Sequence, residues 1–204
     1  MPMDNFFKIR AEKQNHIINA AFSIFGRQGY RKASLSDIAK EAGITKGMIT
    51  YYFGSKKTLY VYLVEKFHLQ LVENIKEQMS STVDNFFDRL RMVVDVNVSV
   101  IKEHPAIISF SNSFYKETDP EVMEEIKKID TADNETGINF FLKGIDESSF
   151  KPGIDMNLVC RFMFWAFEGC LVELYESNYD ESEVDELIDR LYKSLDIMQQ
   201  VFSK

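Results

Sequence analysis

Residues 34–53 read SLSDIAKEAGITKGMITYYF, and they gather in one short run the side chains of this chain best suited to a polyanion. Thr45, Thr50, Tyr51 and Tyr52 carry hydroxyls, Lys46 an ammonium, and Gly47 leaves space beside them. Hydroxyls and ammonium groups suit phosphate oxygens, while a glycine and a short hydroxyl let backbone or methyl groups approach base edges in a major groove. Lys56 follows Ser55, which is placed to cap a further helix, so an ammonium and a helix N-terminus can share one phosphate.

Two short helices are needed to present these groups. Ser34 with Asp37 three residues on is close to a capping box, and Leu35, Ile38, Ala39 and Ala42 recur at helical spacing. Gly43 stands where a left-handed residue would end the first helix. Thr45 can cap the second, with Ile44, Ile49 and Phe53 spaced to pack it on the first. The pair is bent at Gly43 and leaves residues 45–48 and 50–52 outward, which is the geometry of a helix-turn-helix reading head for double-stranded DNA.

No other run offers comparable chemistry. His16, His68 and His104 are scattered, and Cys160 and Cys170 lie in what reads as one helix, a spacing that suits neither zinc nor a disulfide framework. No Gly-rich phosphate loop or nucleophile elbow is present. We expect no catalytic residues, no metal and no cofactor; a helical enzyme, or an adaptor whose head binds protein instead of DNA, is the alternative. The thiols are expected to be reduced in a cytoplasmic protein, and no uncharged apolar run reaches the length of a membrane span.

The net charge of −8 would argue against nucleic acid, but the average hides an asymmetry. Residues 1–60 carry ten Lys or Arg against four Asp or Glu, a balance of +6, whereas residues 61–204 carry fourteen against twenty-eight, a balance of −14. A basic head on an acidic body puts positive potential where phosphates must go.

The residues AAFSIFGRQGY, SLSDIAKEAG and ITKGMITYYFGSKKTLY together resemble the DNA-binding domain of the TetR family of bacterial transcriptional regulators. The resemblance implies DNA contacts at Ser34, Thr45, Lys46, Gly47, Thr50, Tyr51, Tyr52 and Lys56. Family members often have Tyr where this chain has Thr50, which implies an altered operator preference. It also implies a homodimer through the last two helices and a small-molecule effector that releases the protein, as a repressor, from a pseudo-palindromic operator.

The remaining chain reads as all helical, with residues 1–54 the helix-turn-helix domain and residues 55–204 a helical effector-binding and dimerisation domain. After a mobile arm, a first helix is expected from about Phe7 to Arg27, ended by Gly29. A fourth from about Ser55 to Met79 is long enough to act as a lever into the body. Others are expected over about 83–103, 106–115, 120–145, 156–176 and 181–202. The centre of the eighth, CRFMFWAFEGCLVELY, is apolar nearly all round and must be covered on more than one side. The last carries Val184, Leu187, Ile188, Leu191, Leu195 and Met198 on a broad face, so both are expected to pair with a second copy, and a charge at Leu191 to split it. Phe110, Phe114, Phe141, Met163, Trp165 and Phe167 are candidates to line a cavity for an apolar or aromatic effector, with Glu168 as its polar group.

Overall fold

The computed structural model describes the backbone of residues 2–79, 85–104, 106–176 and 181–204, and their side chains except at 2, 68–74, 76, 78–79, 130–140, 164, 168, 171–172, 174–176 and 181–184. Among these residues nine α-helices form and no β-strand: α1 Ala11–Lys32, α2 Leu35–Glu41, α3 Lys46–Phe53, α4 Lys56–Met79, α5 Phe86–Glu103, α6 Ile107–Tyr115, α7 Pro120–Leu142, α8 Met156–Glu176 and α9 Glu181–Phe202. Contacts divide the chain into two compact units, residues 1–69 with 101–131 and residues 70–100 with 132–204. Helix α4 runs unbroken through residue 69, where the first division falls.

In the first unit, Ile17, Ile18, Ala21, Phe22 and Phe25 of α1 form the centre of the core. α2 begins as the sequence predicts: the Asp37 amide donates to Ser34 Oγ at 3.1 Å and the Ser34 hydroxyl returns a bond to Asp37 Oδ2 at 2.6 Å. Such a cap contributes about 1 kcal/mol. Gly43 takes φ 60, the left-handed conformation that lets the chain turn from α2 into α3 without a Cβ clash. The Met48 amide donates to Thr45 Oγ1 at 3.3 Å, so α3 is capped as expected. α4 starts in the same way, with the Thr58 amide on Ser55 Oγ at 3.0 Å.

The N-terminus departs from expectation. Instead of a mobile arm leading into a helix at Phe7, a short 3-10 turn at Pro2–Asn5 precedes Phe6, and α1 begins at Ala11. Phe6 is 0% exposed, its ring 4.7 Å from that of Phe53 and about 6 Å from those of Tyr52 and Tyr62. An aromatic ring of this size stays wherever its burial outweighs the entropy of the short segment that carries it. Gly29 takes φ 71 and ψ 168, yet a helical turn resumes and runs to Lys32.

The second unit has its own aromatic core. Phe86 packs edge-on against Phe87, Phe141 and Phe150 with centroids 5.2–5.6 Å apart. α5 starts just after Asn85, whose side chain accepts from the amides of Phe87 and Asp88, and the residues before it, where the sequence placed the start near Val83, lie outside the described range. Buried Arg89 donates to the carbonyls of Phe141 and Lys143, covering the C-terminal end of α7. α7 ends at Leu142, short of the expected Ile145. Arg91 reaches Asp196 at 2.6 Å and Gln199 at 2.8 Å, and Tyr192 donates to Asp95, so α5 and α9 are joined by a polar seam. Asp155 caps α8 through the amides of Asn157 and Leu158.

Candidate nucleic-acid interface

α3 is only eight residues long, and its orientation depends on what its inner face touches. Ile49 and Phe53 are fully buried, which turns Thr45, Lys46, Gly47, Thr50 and Tyr51 outward. All five are exposed, Tyr51 at 61%. A Cβ on Gly47 would meet only the Thr45 hydroxyl at 3.8 Å, so the surface there is open to a close approach. The outward face thus presents a hydroxyl, an ammonium, a gap, a second hydroxyl and a phenol along one short helix, with Arg31, Lys32 and Lys40 also exposed in this unit. This is an arrangement for phosphate oxygens flanking a groove and base edges within it.

Three of the eight predicted contacts have other work. The Tyr52 ring is 5% exposed and packs on Phe6, Tyr51 and Phe53, so it belongs to the core and not to the outward face to which its spacing assigned it. The reason is Phe6, whose long-range contact the local pattern cannot show. Lys56 is half-buried: its ammonium donates to the carbonyl of Tyr30 at 2.9 Å and lies 4.3 Å from the centre of the Tyr30 ring. The Tyr30 and Arg31 carbonyls near the end of α1 lack helical partners, and a cation is their natural partner. The Ser34 hydroxyl is used on both sides by Asp37.

The seven candidates for an effector site are divided between the two units. Phe110 and Phe114 lie in the first unit, while Phe141, Met163, Trp165 and Phe167 lie in the second. Phe110 is fully buried between Phe22 at 4.9 Å and Tyr60 at 5.6 Å and fills core, as Phe141 does against Phe86. Phe114 and Met163 are buried and Phe167 is half-buried. Trp165 is 60% exposed, so it lines no enclosed cavity. The Glu168 side chain lies outside the described residues. A crevice of about 310 Å³ opens in the second unit between Asn85, Phe86, Phe150 and Gln199, and none of the seven lines it.

Among the described side chains, the large exposed apolar residues of α8 are Leu158, Phe162 and Trp165, at i, i+4 and i+7, and those of α9 are Ile197 and Val201. Of the α9 face that the sequence offered to a second copy, Leu187, Leu191 and Leu195 are buried, Leu191 at 6% exposed, Ile188 and Met198 are half-buried, and the Val184 side chain lies outside the described residues. The outward stripe is legible in the sequence, but a helix apolar on two sides does not say which side faces inward.

Among the described residues no group of three or more His, Cys, Asp or Glu is placed to hold a metal ion, and no helix is long and apolar enough to cross a membrane. Burial holds the Cys160 thiol well above its usual range, up to about 12, and raises that of Cys170.

Residues 17–63 match the family model described as bacterial regulatory proteins, tetR family. Over 121 residues the chain is 30% identical to the HTH-type transcriptional activator FasR of Mycolicibacterium smegmatis, covering 58% of this chain and about half, 53%, of that activator. The ketosteroid transcriptional regulator KstR2 of Mycobacterium tuberculosis has a similar structure, with a TM-score of 0.71 at 21% identity over 97% of each chain. So does the transcriptional regulator FadR of Bacillus subtilis in complex with stearoyl-CoA, with a TM-score of 0.64 at 20% identity over 88% of this chain and 96% of that one. At such identities the structures establish a shared fold: an all-α chain with an N-terminal helix-turn-helix head. The outward face of α3 and the match over residues 17–63 make the class a DNA-binding transcriptional regulator. Residues 17–63 thus match the DNA-binding region of the TetR family, and the relatives that the chain resembles are regulators and not enzymes.

Proposed function

We propose that this chain is a homodimeric, ligand-responsive repressor that is released from a pseudo-palindromic operator by a small apolar effector. Residues 1–54 read DNA and residues 55–204 bind the effector and the second copy. Thr45, Lys46, Gly47, Thr50 and Tyr51 contact the duplex directly, whereas Ser34, Tyr52 and Lys56 hold the face in position. The single observation that carries the reading is the α3 surface, where five outward residues suited to phosphate and base edges stand on a helix fixed from behind by Ile49, Tyr52 and Phe53. Two heads then enter successive major grooves about 34–36 Å apart, or near a multiple of that.

The dimer is supported by the α8 and α9 stripes, since a soluble monomer has little reason to leave Leu158, Phe162, Trp165, Ile197 and Val201 in water. The effector class is supported by the apolar side chains of the second unit and by the similarity to a regulator solved with stearoyl-CoA, which points to a long-chain acyl thioester. An effector acts only through its different affinity for the DNA-competent and released conformers. The protein performs no catalytic step and works in the cytoplasm, where the operator is. Selection of bound fragments from the parent genome tests the reading: a recurrent inverted repeat, bound less tightly when stearoyl-CoA is added, is expected. Failure to retain any fragment at low salt overturns it.

A further inference from the structure

Helix α1 is broken one turn before its end, and the break gives the reading head a second attachment. With Gly29 at φ 71 and ψ 168, the amide of Tyr30 leaves the helical ladder. It donates instead to Glu117 Oε2 at 3.1 Å, from the corner between α6 and α7. The other carboxylate oxygen, Glu117 Oε1, accepts from the amides of Thr118 at 2.9 Å and Asp119 at 2.8 Å, just ahead of the first turn of α7. One half-buried carboxylate therefore joins three backbone amides from two distant parts of the sequence. The carbonyl of the same Tyr30 is held by Lys56 at the start of α4.

Two further contacts tie the same regions together. A Cβ on Gly26 would stand 2.3 Å from Ser109 Oγ and 2.8 Å from the Phe110 amide, so α1 and α6 touch backbone to backbone there. Lys57 of α4 reaches Glu125 of α7 at 2.6 Å. The half-exposed Lys57–Glu125 pair is weak, but the Gly26 crossing leaves no room to slide, and charge-assisted bonds to amides are stronger than neutral ones.

We infer that Glu117 is a positioning residue for operator binding: by fixing the Tyr30 amide it sets the angle at which α2 and α3, which follow directly, leave the rest of the unit. The inference rests on the proposed DNA-binding function but concerns a residue that touches no DNA. A displacement of the α6–α7 corner then reaches the head through Tyr30, in addition to any path along α4. Coupling of this kind needs a contact whose loss favours another arrangement, and Glu117 is that contact.

Glu117→Gln tests it, because a glutamine has one oxygen where the carboxylate has two, and its amide cannot accept from a backbone N–H. In the free protein, hydrogen exchange at the Tyr30 amide is expected to accelerate. Operator affinity is expected to fall about tenfold, in the range of ordinary coupling between sites. The slope of affinity against salt is expected to stay unchanged, because no phosphate contact is removed. The readout specific to positioning is half-site spacing: the ratio of affinities for the operator and for one with a base pair inserted at its centre is expected to collapse toward one. Unchanged exchange at Tyr30, an unchanged spacing ratio, or an affinity loss matched by a large fall in melting temperature overturns the inference. If the wild type binds fragments and the variant binds them equally well, only this inference falls; if the wild type binds none, the functional reading falls and takes this one with it.

Discussion

Tyr51 on α3 and Trp165 on α8 are almost equally exposed, 61% and 60%, and their neighbours could hardly differ more. Around Tyr51 the helix shows Thr50, Gly47 and Lys46; around Trp165 it shows Phe162 and Leu158. Exposure of a large ring is costly in both places, and in the proposed function a partner covers each surface. What finishes it follows from the company the ring keeps. A phenol among hydroxyls and an ammonium wants a polyanion with hydrogen-bonding edges, whereas an indole among aliphatic and aromatic carbon wants more carbon.

That contrast can be attacked on either side. The largest effect is expected from Leu191→Glu, which puts a charge into the core of the second unit and should abolish its cooperative melting instead of yielding folded monomers; a folded monomer by circular dichroism and sedimentation would return the buried α9 face to the interface. Trp165→Glu should leave the fold intact and convert dimer to monomer in sedimentation, with operator binding lost alongside. A persistent dimer would take Trp165 out of the interface. Lys46→Ala should weaken binding to all duplexes and lower the salt slope by about 1, as expected for one lost phosphate contact. Lys56→Ala, by contrast, should lower the melting temperature of the free protein, because the carbonyls of Tyr30 and Arg31 lose their cation, while leaving that slope unchanged. Thr50→Tyr should change which operator is preferred, by about 1–3 kcal/mol between competing base pairs, in a competition assay with no change in melting temperature.

The smallest expected effect concerns pH. His104 is fully buried, with Nδ1 bonded to Asn19 Oδ1 at 2.7 Å and Nε2 without a hydrogen-bond partner, 3.7 Å from Glu103 Oε1. Burial pushes its pKa below the ordinary 6.5; Glu103 offsets this in part and Lys66 adds to it. Below about pH 6.5 the unfolded chain takes up a proton that the folded one resists, so stability is intact above that value and declines as pH falls through it. In melting curves from pH 7 to 5, His104→Gln should flatten the decline; an equal slope in both proteins would remove His104 as its source.

The head was legible because its rules are local. Ser34 with Asp37, Gly43, Thr45 and Ser55 each act within four residues, and each does in the structure what its type and spacing dictate. The apolar candidates were not legible in that way. Phe110, Phe141 and Trp165 have similar sequence surroundings, yet the first two fill cores and the third faces water. Periodicity says that a helix carries apolar side chains on several sides, and says nothing of which side another helix will reach first.

The amino-acid sequence by itself determined the all-helical fold, the bend at Gly43, the capped reading helix and the basic balance of the first 60 residues, since helix caps, turns and charge are properties of neighbours in the chain. Only the tertiary structure decided that Phe6 would take Tyr52 into the core, that Lys56 would close the end of α1, that Leu191 would face inward, and that Glu117 would hold an amide 87 residues away. Those outcomes depend on which distant surfaces meet. Such meetings are decided by packing and by the need of every buried polar group for a partner, neither of which is written in the spacing of residues along one helix.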